Sequence, residues 1–394
     1  MNNYIIRQKD GTLWHFYFKN GVGICARKKS SSYWEDREIV FKDGEYDFTV
    51  MCDDDDNLHI ICQNNSSNIY YFVYRSGAWQ KYTILKSKTE RFYPKNFKMI
   101  QSGVVLNLFY VIEHQEKYLL VHHMLDNESN PVVIDTLSQN TFSITCDDSY
   151  NIYIYYKNES GMSGYRTYCW SSKKISSFIT IADDSCEIKN LCPLCDGIIN
   201  HIVYVRDGSI VYRQKSESDF SSEASIYSSK GRMDAPAIAQ TDDKLWILWC
   251  EYNKITYVTS TDAGKSWSKP VQFLTRGEFD VFDVQMGDRF MRTYGYEKQN
   301  DIHLFAVQDF IGKNVVKIKK ETGIKIPGSD VEVFAKKHAF SETEERPQFK
   351  VPEGSSSDIK KLKIMIDILR REVGELKGQV ARLNKKLGTD LVKK

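Results

Sequence analysis

The chain has 394 residues, with 54 Lys and Arg against 52 Asp and Glu and a formal net charge of +2. Residues 358–394 carry a formal +6 and the rest −4; a mildly acidic body argues against general nucleic-acid binding, and no apolar run approaches the ~20 residues of a membrane-spanning helix. The composition of 20 Phe, 24 Tyr, 7 Trp and only 8 Pro favours strands.

Met1 to Asp10 contain no long apolar core and read as a strand, so no export signal is expected. Nine cysteines without the spacing of a small disulfide framework read as reduced thiols of a cytoplasmic protein. One line of residues then recurs along the chain. It begins at Leu13, Leu58, Leu106, Ile152, Asn200, Leu245 and Phe290, at intervals of 45, 48, 46, 48, 45 and 45 residues. A fixed period of this size is the signature of a propeller or another repeat array. Each unit parses into four short strands separated by turn residues. The expected fold is therefore all-β: a seven-bladed β-propeller of four-stranded antiparallel blades over residues 1–322, followed by a C-terminal helical coiled coil.

In the first two units Trp34 and Trp79 hold one repeat position, which Phe220 and Trp267 hold further on, at intervals of 45, 141 and 47 residues. A large ring at the start of an outer strand is expected to pack between neighbouring sheets, where its burial contributes roughly 1.5–3 kcal/mol. Asp53, Asp55 and Asn57 begin like a calcium loop, but Leu58 stands where Gly is needed and Asn64 where Glu is needed. The stretch reads as a solvated hairpin turn. His122 and His123 are adjacent on a strand and face opposite ways. Cys192-Pro193-Leu194-Cys195 has redox or half-zinc spacing. Cys195, however, repeats Cys52 and Cys146, each followed by Asp at the end of a first strand, and no second Cys-x-x-Cys completes a metal site. Buried thiols are expected, with no metal and no cofactor.

The sixth unit contains Ser260-Thr261-Asp262-Ala263-Gly264-Lys265-Ser266-Trp267. An Asp carboxylate can bond backbone N–H groups across such a turn, and Gly supplies a conformation that other residues resist. This run resembles the Asp-box, Ser-x-Asp-x-Gly-x-x-Trp, of sialidase-type (BNR-repeat) propellers. The resemblance rests on this complete copy, with Ser260, Asp262, Gly264 and Trp267 as its structural residues, and on the repeat over about 320 residues. It implies a rim position away from any catalytic centre. Sialidases of this fold use three arginines, a tyrosine–glutamate pair and an aspartate. The Arg-Ile-Pro segment of that family is absent; Arg232 and Pro236 are separated by three residues. Glu251 and Tyr252 are adjacent, so on a strand they point to opposite faces. No catalytic residues are assigned.

After the last unit, residues 323–356 carry Pro327, Pro347 and Pro352 and read as a connector. Residues 357–390 read as a helix capped by Ser357 or Asp358. Its apolar residues keep strict heptads, with Ile359, Ile366, Val373, Val380 and Leu387 at a and Leu362, Leu369, Leu376 and Leu383 at d. Such a seam implies a left-handed coiled coil, and β-branched a with Leu d favours a parallel dimer. Ile364, Met365 and Ile368 widen the apolar face, which keeps a trimer as the alternative. The expected function is non-catalytic, multivalent, lectin-like binding of a glycan or a protein by the propeller, with the coiled coil driving self-association. The alternative is a sialidase-like glycoside hydrolase or a degenerate relative of one. The first and last blades each own their strands, so they are expected to meet by side-chain packing alone.

Overall fold

The computed structural model describes residues 2–307, apart from 30–32, 89–90, 126–129, 182–187, 217–219, 230, 232, 242–243 and 277. The connector and the seam from Ile359 to Leu387 lie outside the described residues. The described chain is all-β, without a helix.

The first repeat is β1 (Asn3–Arg7), β2 (Leu13–Lys19), β3 (Gly23–Lys29) and β4 (Glu38–Phe41). The second is β5 (Gly44–Cys52), β6 (Leu58–Asn64), β7 (Ile69–Arg75) and β8 (Ala78–Leu85). Next come β9 (Lys98–Ser102), β10 (Val105–His114), β11 (Lys117–Met124) and β12 (Val132–Cys146). The fourth repeat continues from β12 into β13 (Ile152–Asn158), β14 (Ser163–Cys169), β15 (Lys174–Ile175) and β16 (Ile179–Thr180). The fifth is β17 (Ile188–Asp196), β18 (Ile199–Arg206), β19 (Ser209–Lys215) and β20 (Ala224–Ser228). The sixth is β21 (Ala237–Thr241), β22 (Lys244–Glu251), β23 (Lys254–Ser260) and β24 (Val271–Arg276). The last described strands are β25 (Asp280–Met286), β26 (Arg289–Lys298) and β27 (Asp301–Leu304). Each repeat is an antiparallel meander, and the first meets the last, which makes the fold a β-propeller.

The core lies between neighbouring meanders. One buried cluster joins Phe16 and Ile24 of the first repeat to Phe48 and Ile60 of the second. Another joins Tyr153 and Tyr155 to Ile202 and Tyr204. A sheet sandwiched in this way is covered on both faces, so the second strand β6 is buried at six consecutive positions rather than at alternate ones. The outer strand β8 is mostly exposed. The repeated outer aromatic fills the gap toward the preceding repeat. Trp79 meets Phe16 at 6.2 Å between ring centroids, Phe220 meets Tyr165 at 5.8 Å and Trp267 meets Tyr212 at 4.9 Å. Trp34 closes the series by donating from Nε1 to Asp301 of the last repeat at 2.9 Å.

Two expectations are corrected. The first and last repeats do not meet by side chains alone. β1 pairs with β25 in parallel, from Asn3 opposite Phe282 to Arg7 opposite Met286. Inner strands run in the same sense around the axis, so two that come close can satisfy each other's unpaired backbone groups. Arg27 adds a tie at the outer side, with Nη1 donating to Glu297 at 3.0 Å and to Asn300 at 2.9 Å. Nor does every repeat own four separate strands. β12 pairs with β11 through its first half and with β13 through its second, with a break in register between Leu137 and Phe142. The third and fourth meanders are thereby one sheet.

The acidic hairpins are only partly solvated. Asp54 and Asp55 are exposed, but Asp53 locks its turn. Its Oδ1 accepts from the N–H of Asp55 at 2.9 Å and of Asn57 at 2.8 Å. His59 Nε2 lies 2.9 Å from Asp53 Oδ2, and Tyr71 Oη lies 2.7 Å from His59 Nδ1. Asp147 repeats the lock with Ser149, Asn151 and Tyr153. Burial alone would raise the Asp53 pKa. The hydrogen bonds from His59 and Asn57 outweigh it and hold the carboxyl at about 2. A depressed carboxyl contributes stability that is present above its unfolded value of ~3.9 and lost as the pH falls through 2. An Asp53→Asn variant is therefore expected to be about 2 kcal/mol less stable than the wild type at pH 7. The gap should close between pH 4 and 2; a constant gap in denaturation midpoints across that range would contradict this.

Candidate ligand-binding channel

The inner strands surround a cavity of about 100 Å³. Its lining includes Tyr4 of β1, Lys98 of β9, Thr145 of β12, Cys192 of β17, Asp283 of β25 and Arg292 of β26. Asp283 and Arg292 face each other across the antiparallel β25–β26 pair. Arg292 binds the carboxylate with two parallel bonds, Nε to Oδ1 at 2.7 Å and a second terminal nitrogen to Oδ2 at 3.1 Å. Lys98 reaches in from the third repeat, with Nζ 3.8 Å from Asp283 Oδ2. That is an ion pair but too long for a hydrogen bond. The three side chains are 26–32% exposed.

Burial would raise the Asp283 pKa, but Arg292 and Lys98 hold it below the usual carboxylate range. The Lys98 ammonium is lowered by burial and by Arg292, against the pull of Asp283. Burial raises the Cys192 thiol and, with Asp283 adding to it, the Tyr4 phenol. Tyr4 donates its hydroxyl to the Phe48 carbonyl at 3.0 Å. Two cations against one carboxylate leave the ionised groups of this cavity with one positive charge in excess.

Larger clefts open at both ends. At the C-terminal ends of β1 and β5, a cleft of about 570 Å³ is lined by Asp53, Asp54, Asp56 and Asp288 against Arg7, Lys9 and Arg289. At the opposite end, a cleft of about 480 Å³ is lined by Lys98, Lys157, Lys189 and Arg292, with no Asp or Glu among the described residues. Asn2, Asn96, Gln139 and Asn190 line this mouth, with Asn2 Nδ2 donating to the Phe48 carbonyl and Asn96 Nδ2 to Asn140, and Tyr155 and Tyr156 lie buried in its wall. Gln139 and Asn190 are exposed.

Lys98, Asp283 and Arg292 were not among the residues singled out from sequence. A signal existed for Arg292. It is the third residue of its repeat line, where the other repeats have His15, Ile60, Leu108, Ile154, Ile202 and Ile247. Its cross-strand partner Asp283 likewise takes the place of Ile5, Val50, Met99, Ile144, Pro193 and Ile238. A charged pair replaces an apolar pair.

The residues chosen from sequence lie elsewhere. Ser260, Asp262, Gly264 and Trp267 form the turn after β23. Ser260 Oγ donates to Asp262 Oδ1 at 2.7 Å and accepts from Gly264 N at 2.8 Å, and Asp262 Oδ1 accepts from Ser266 N at 2.9 Å. The hydrogen bonds from Ser266 and Ser260 hold the Asp262 carboxyl at about 2. Gly264 has φ +85°, and a Cβ there would collide with the Tyr212 hydroxyl of the preceding repeat. Gly77 has φ +83° with open space around it. Gly77→Ala is expected to cost only backbone strain, about 1 kcal/mol. Gly264→Ala should cost at least about 2 kcal/mol more, since overpacking adds to the strain. Equal losses in thermal or chemical denaturation would show that Tyr212 yields freely. Cys192 lines the channel, and the eight described cysteines, Cys195 included, are free thiols. Glu251 is 6% exposed and accepts from Tyr227 Oη at 2.9 Å and from Ser229, while Tyr252 is 76% exposed in the following turn. Among the described residues, no group of three or more His, Cys, Asp or Glu is placed to hold a metal. No described helix is long and apolar enough to cross a membrane.

No known family matches the chain, and no curated protein does. Solved structures do. An ulvan lyase of polysaccharide lyase family PL25, bound to -[GlcA(1-4)Rha3S]-, superposes with a TM-score of 0.50 at 12% identity, covering 77% of this chain and 92% of the lyase. AofleA from Arthrobotrys oligospora gives a TM-score of 0.44 at 10% identity, covering 70% of this chain and 87% of that one. The six-bladed fucose-recognising lectin of Aleuria aurantia gives 0.46 at 10% identity, covering 68% and 93%. At these identities the likeness extends to the fold alone.

Proposed function

We propose that the chain is a non-catalytic carbohydrate-binding protein. Its propeller has seven blades, and its C-terminal heptads associate as a parallel coiled coil, a dimer in preference to a trimer. The seven blades correspond to the seven repeats, the last contributing three described strands. We read the turn at residues 260–267 as an Asp-box that holds the rim.

The observation that carries the binding reading is the basic mouth. Amides from four separate segments, at Asn2, Asn96, Gln139 and Asn190, line one cleft, and those of Gln139 and Asn190 are exposed. A sugar hydroxyl both donates and accepts, and so does a side-chain amide. A few convergent polar groups in a concave site are what a small-ligand pocket requires. The channel lining supports binding over sialidase chemistry. It holds a single arginine, already engaged by Asp283, and no glutamate among the described residues. A sialidase-type site would need three arginines. The test is an array of neutral, carboxylated and sulfated glycans probed with the full chain, followed by product analysis of every glycan bound. Binding with intact glycans is the expected result. A blank array removes the carbohydrate reading, and cleavage removes the non-catalytic one.

A further inference from the structure

We propose that the ligand is a neutral saccharide, and that Gln139, Thr141 and Asn190, on the inner strands β12 and β17, are the residues that bind its hydroxyl groups. This rests on the carbohydrate reading and adds the ligand's lack of charge and the residues that hold it. Three observations carry it.

The first is a repeat position whose use changes along the chain. Three residues before Ile5, Val50, Met99, Ile144 and Pro193 stand Asn2, Asp47, Asn96, Thr141 and Asn190. In the first three repeats this side chain ties the fold together. Asn2 Nδ2 donates to the Phe48 carbonyl at 2.9 Å, Asp47 accepts from Gln63 and Lys95, and Asn96 Nδ2 donates to Asn140 Oδ1 at 3.0 Å. In the fourth and fifth repeats, Thr141 and Asn190 are exposed, line the mouth and have no hydrogen-bond partner among the described residues. Gln139, two residues before Thr141, is in the same state.

The second is the backbone that presents them. Leu137 pairs with Asn158 and Phe142 with Tyr156, so residues 138–141 bulge out against Lys157 alone. Lys189 pairs with Val205 and Cys192 with Val203, so Asn190 and Leu191 bulge out against Tyr204. Asn190 has φ +54°, a conformation that Asn tolerates better than most residues. Bulges of this kind re-aim side chains and recur beside functional sites. The similar break in β5, between Gly44 and Phe48, is filled by the buried Asp47. Ser143 Oγ donates to the Leu191 carbonyl at 2.9 Å, which fixes the two bulged strands to each other and so prepares the site before the ligand arrives.

The third is the state of the charged groups beside them. Lys98 and Arg292 are both ion-paired to Asp283, and Lys157 and Lys189 have partners of their own. The polar side chains left open in this cleft, among the described residues, are uncharged. An amide and a hydroxyl each donate and accept, which matches a sugar hydroxyl. An ionised carboxylate or sulfate only accepts, and so would leave the amide oxygens of Gln139 and Asn190 without a donor. Leu191, half-buried in the same lining, offers an apolar surface to the C–H face of a sugar ring.

The experiment is the glycan array in low and high salt, with calorimetric titration of the full chain by cellotetraose, mannotetraose and tetragalacturonate. Neutral glycans should give the strongest signals, unchanged by salt because no ion pair forms. Gln139→Ala and Asn190→Gly should each lose about tenfold in affinity for them. Both side chains are exposed and lack described partners, and Gly accepts the positive φ at position 190, so both variants should fold. Arg289→Gln, at the other mouth, should bind as the wild type does. A preference for acidic glycans or tetragalacturonate, binding that weakens with salt, or wild-type affinity in either site variant would each overturn the assignment and leave the carbohydrate reading intact. A blank array with three silent titrations would overturn both.

Discussion

Replacing Asp47 by alanine is expected to destabilise the propeller by about 3–5 kcal/mol, the range for removing one member of a buried charged network. Asp47, Gln63 and Lys95 are 3%, 0% and 2% exposed. Asp47 Oδ2 accepts from the backbone N–H of Lys95 and from Gln63 Nε2, both at 2.6 Å. Gln63 Oε1 in turn accepts from Lys95 Nζ at 2.7 Å, so the amide relays between ammonium and carboxylate. Tyr93 lies 3.8 Å beneath the ammonium. Burial raises Asp47 and lowers Lys95 to about 8. In the alanine variant the Lys95 ammonium loses its counter-charge, and the Lys95 N–H and Gln63 Nε2 donors lose their acceptor. Between pH 8 and the ordinary lysine value near ~10.4, the unfolded chain binds more protons than the fold at Lys95, so this site's contribution to stability rises with pH. Chemical denaturation followed by tryptophan fluorescence measures the loss. A variant within 1 kcal/mol of wild type would show that the network relaxes or takes up water.

Removing residues 355–394 is expected to convert a self-associated protein into a monomer with an intact propeller. Nine a and d residues, from Ile359 to Leu387, would be wet in an isolated helix, and such a helix gains most of its stability from packing. Ile366→Asp with Leu369→Asp should have the same effect by placing like charges in the seam. Loss of multivalency should lower apparent affinity for an immobilised glycan by about 10²–10⁴-fold while leaving single-site affinity unchanged. Light scattering gives the mass. A full-length chain that is monomeric at micromolar concentration, or a truncated form of the same oligomeric state, would remove the tail from the account.

The charged channel shows where sequence reading loses its grip. Lys98 and Asp283 are separated by 185 positions in the chain and meet because the third and last repeats both face the axis. No local pattern encodes that meeting. Arg292 could have been found as the charged member of an otherwise mostly apolar repeat line. Its partner Asp283 and the third member Lys98 become visible only when strand register is known. The Asp53 turn reads as solvated because the acidic run Asp53 to Asp56 fits a hairpin turn and fails the calcium-loop pattern at Leu58 and Asn64. The lock depends on His59, six residues away, turning inward on the next strand.

Strand content, the repeat period, the hairpin turns and the aromatic wedge positions follow from the sequence by itself. Each depends on contacts within a repeat or on a position recurring in the next. Ring closure through the β1–β25 ladder, the sharing of β12 between two meanders and the meeting of Lys98, Asp283 and Arg292 at the axis were decided only by the tertiary structure. These depend on which inner edges come together and which loop ends share a rim. Backbone pairing across a seam is blind to side-chain type, and the charge of a cleft sums residues from distant repeats, so neither leaves a local trace in the chain.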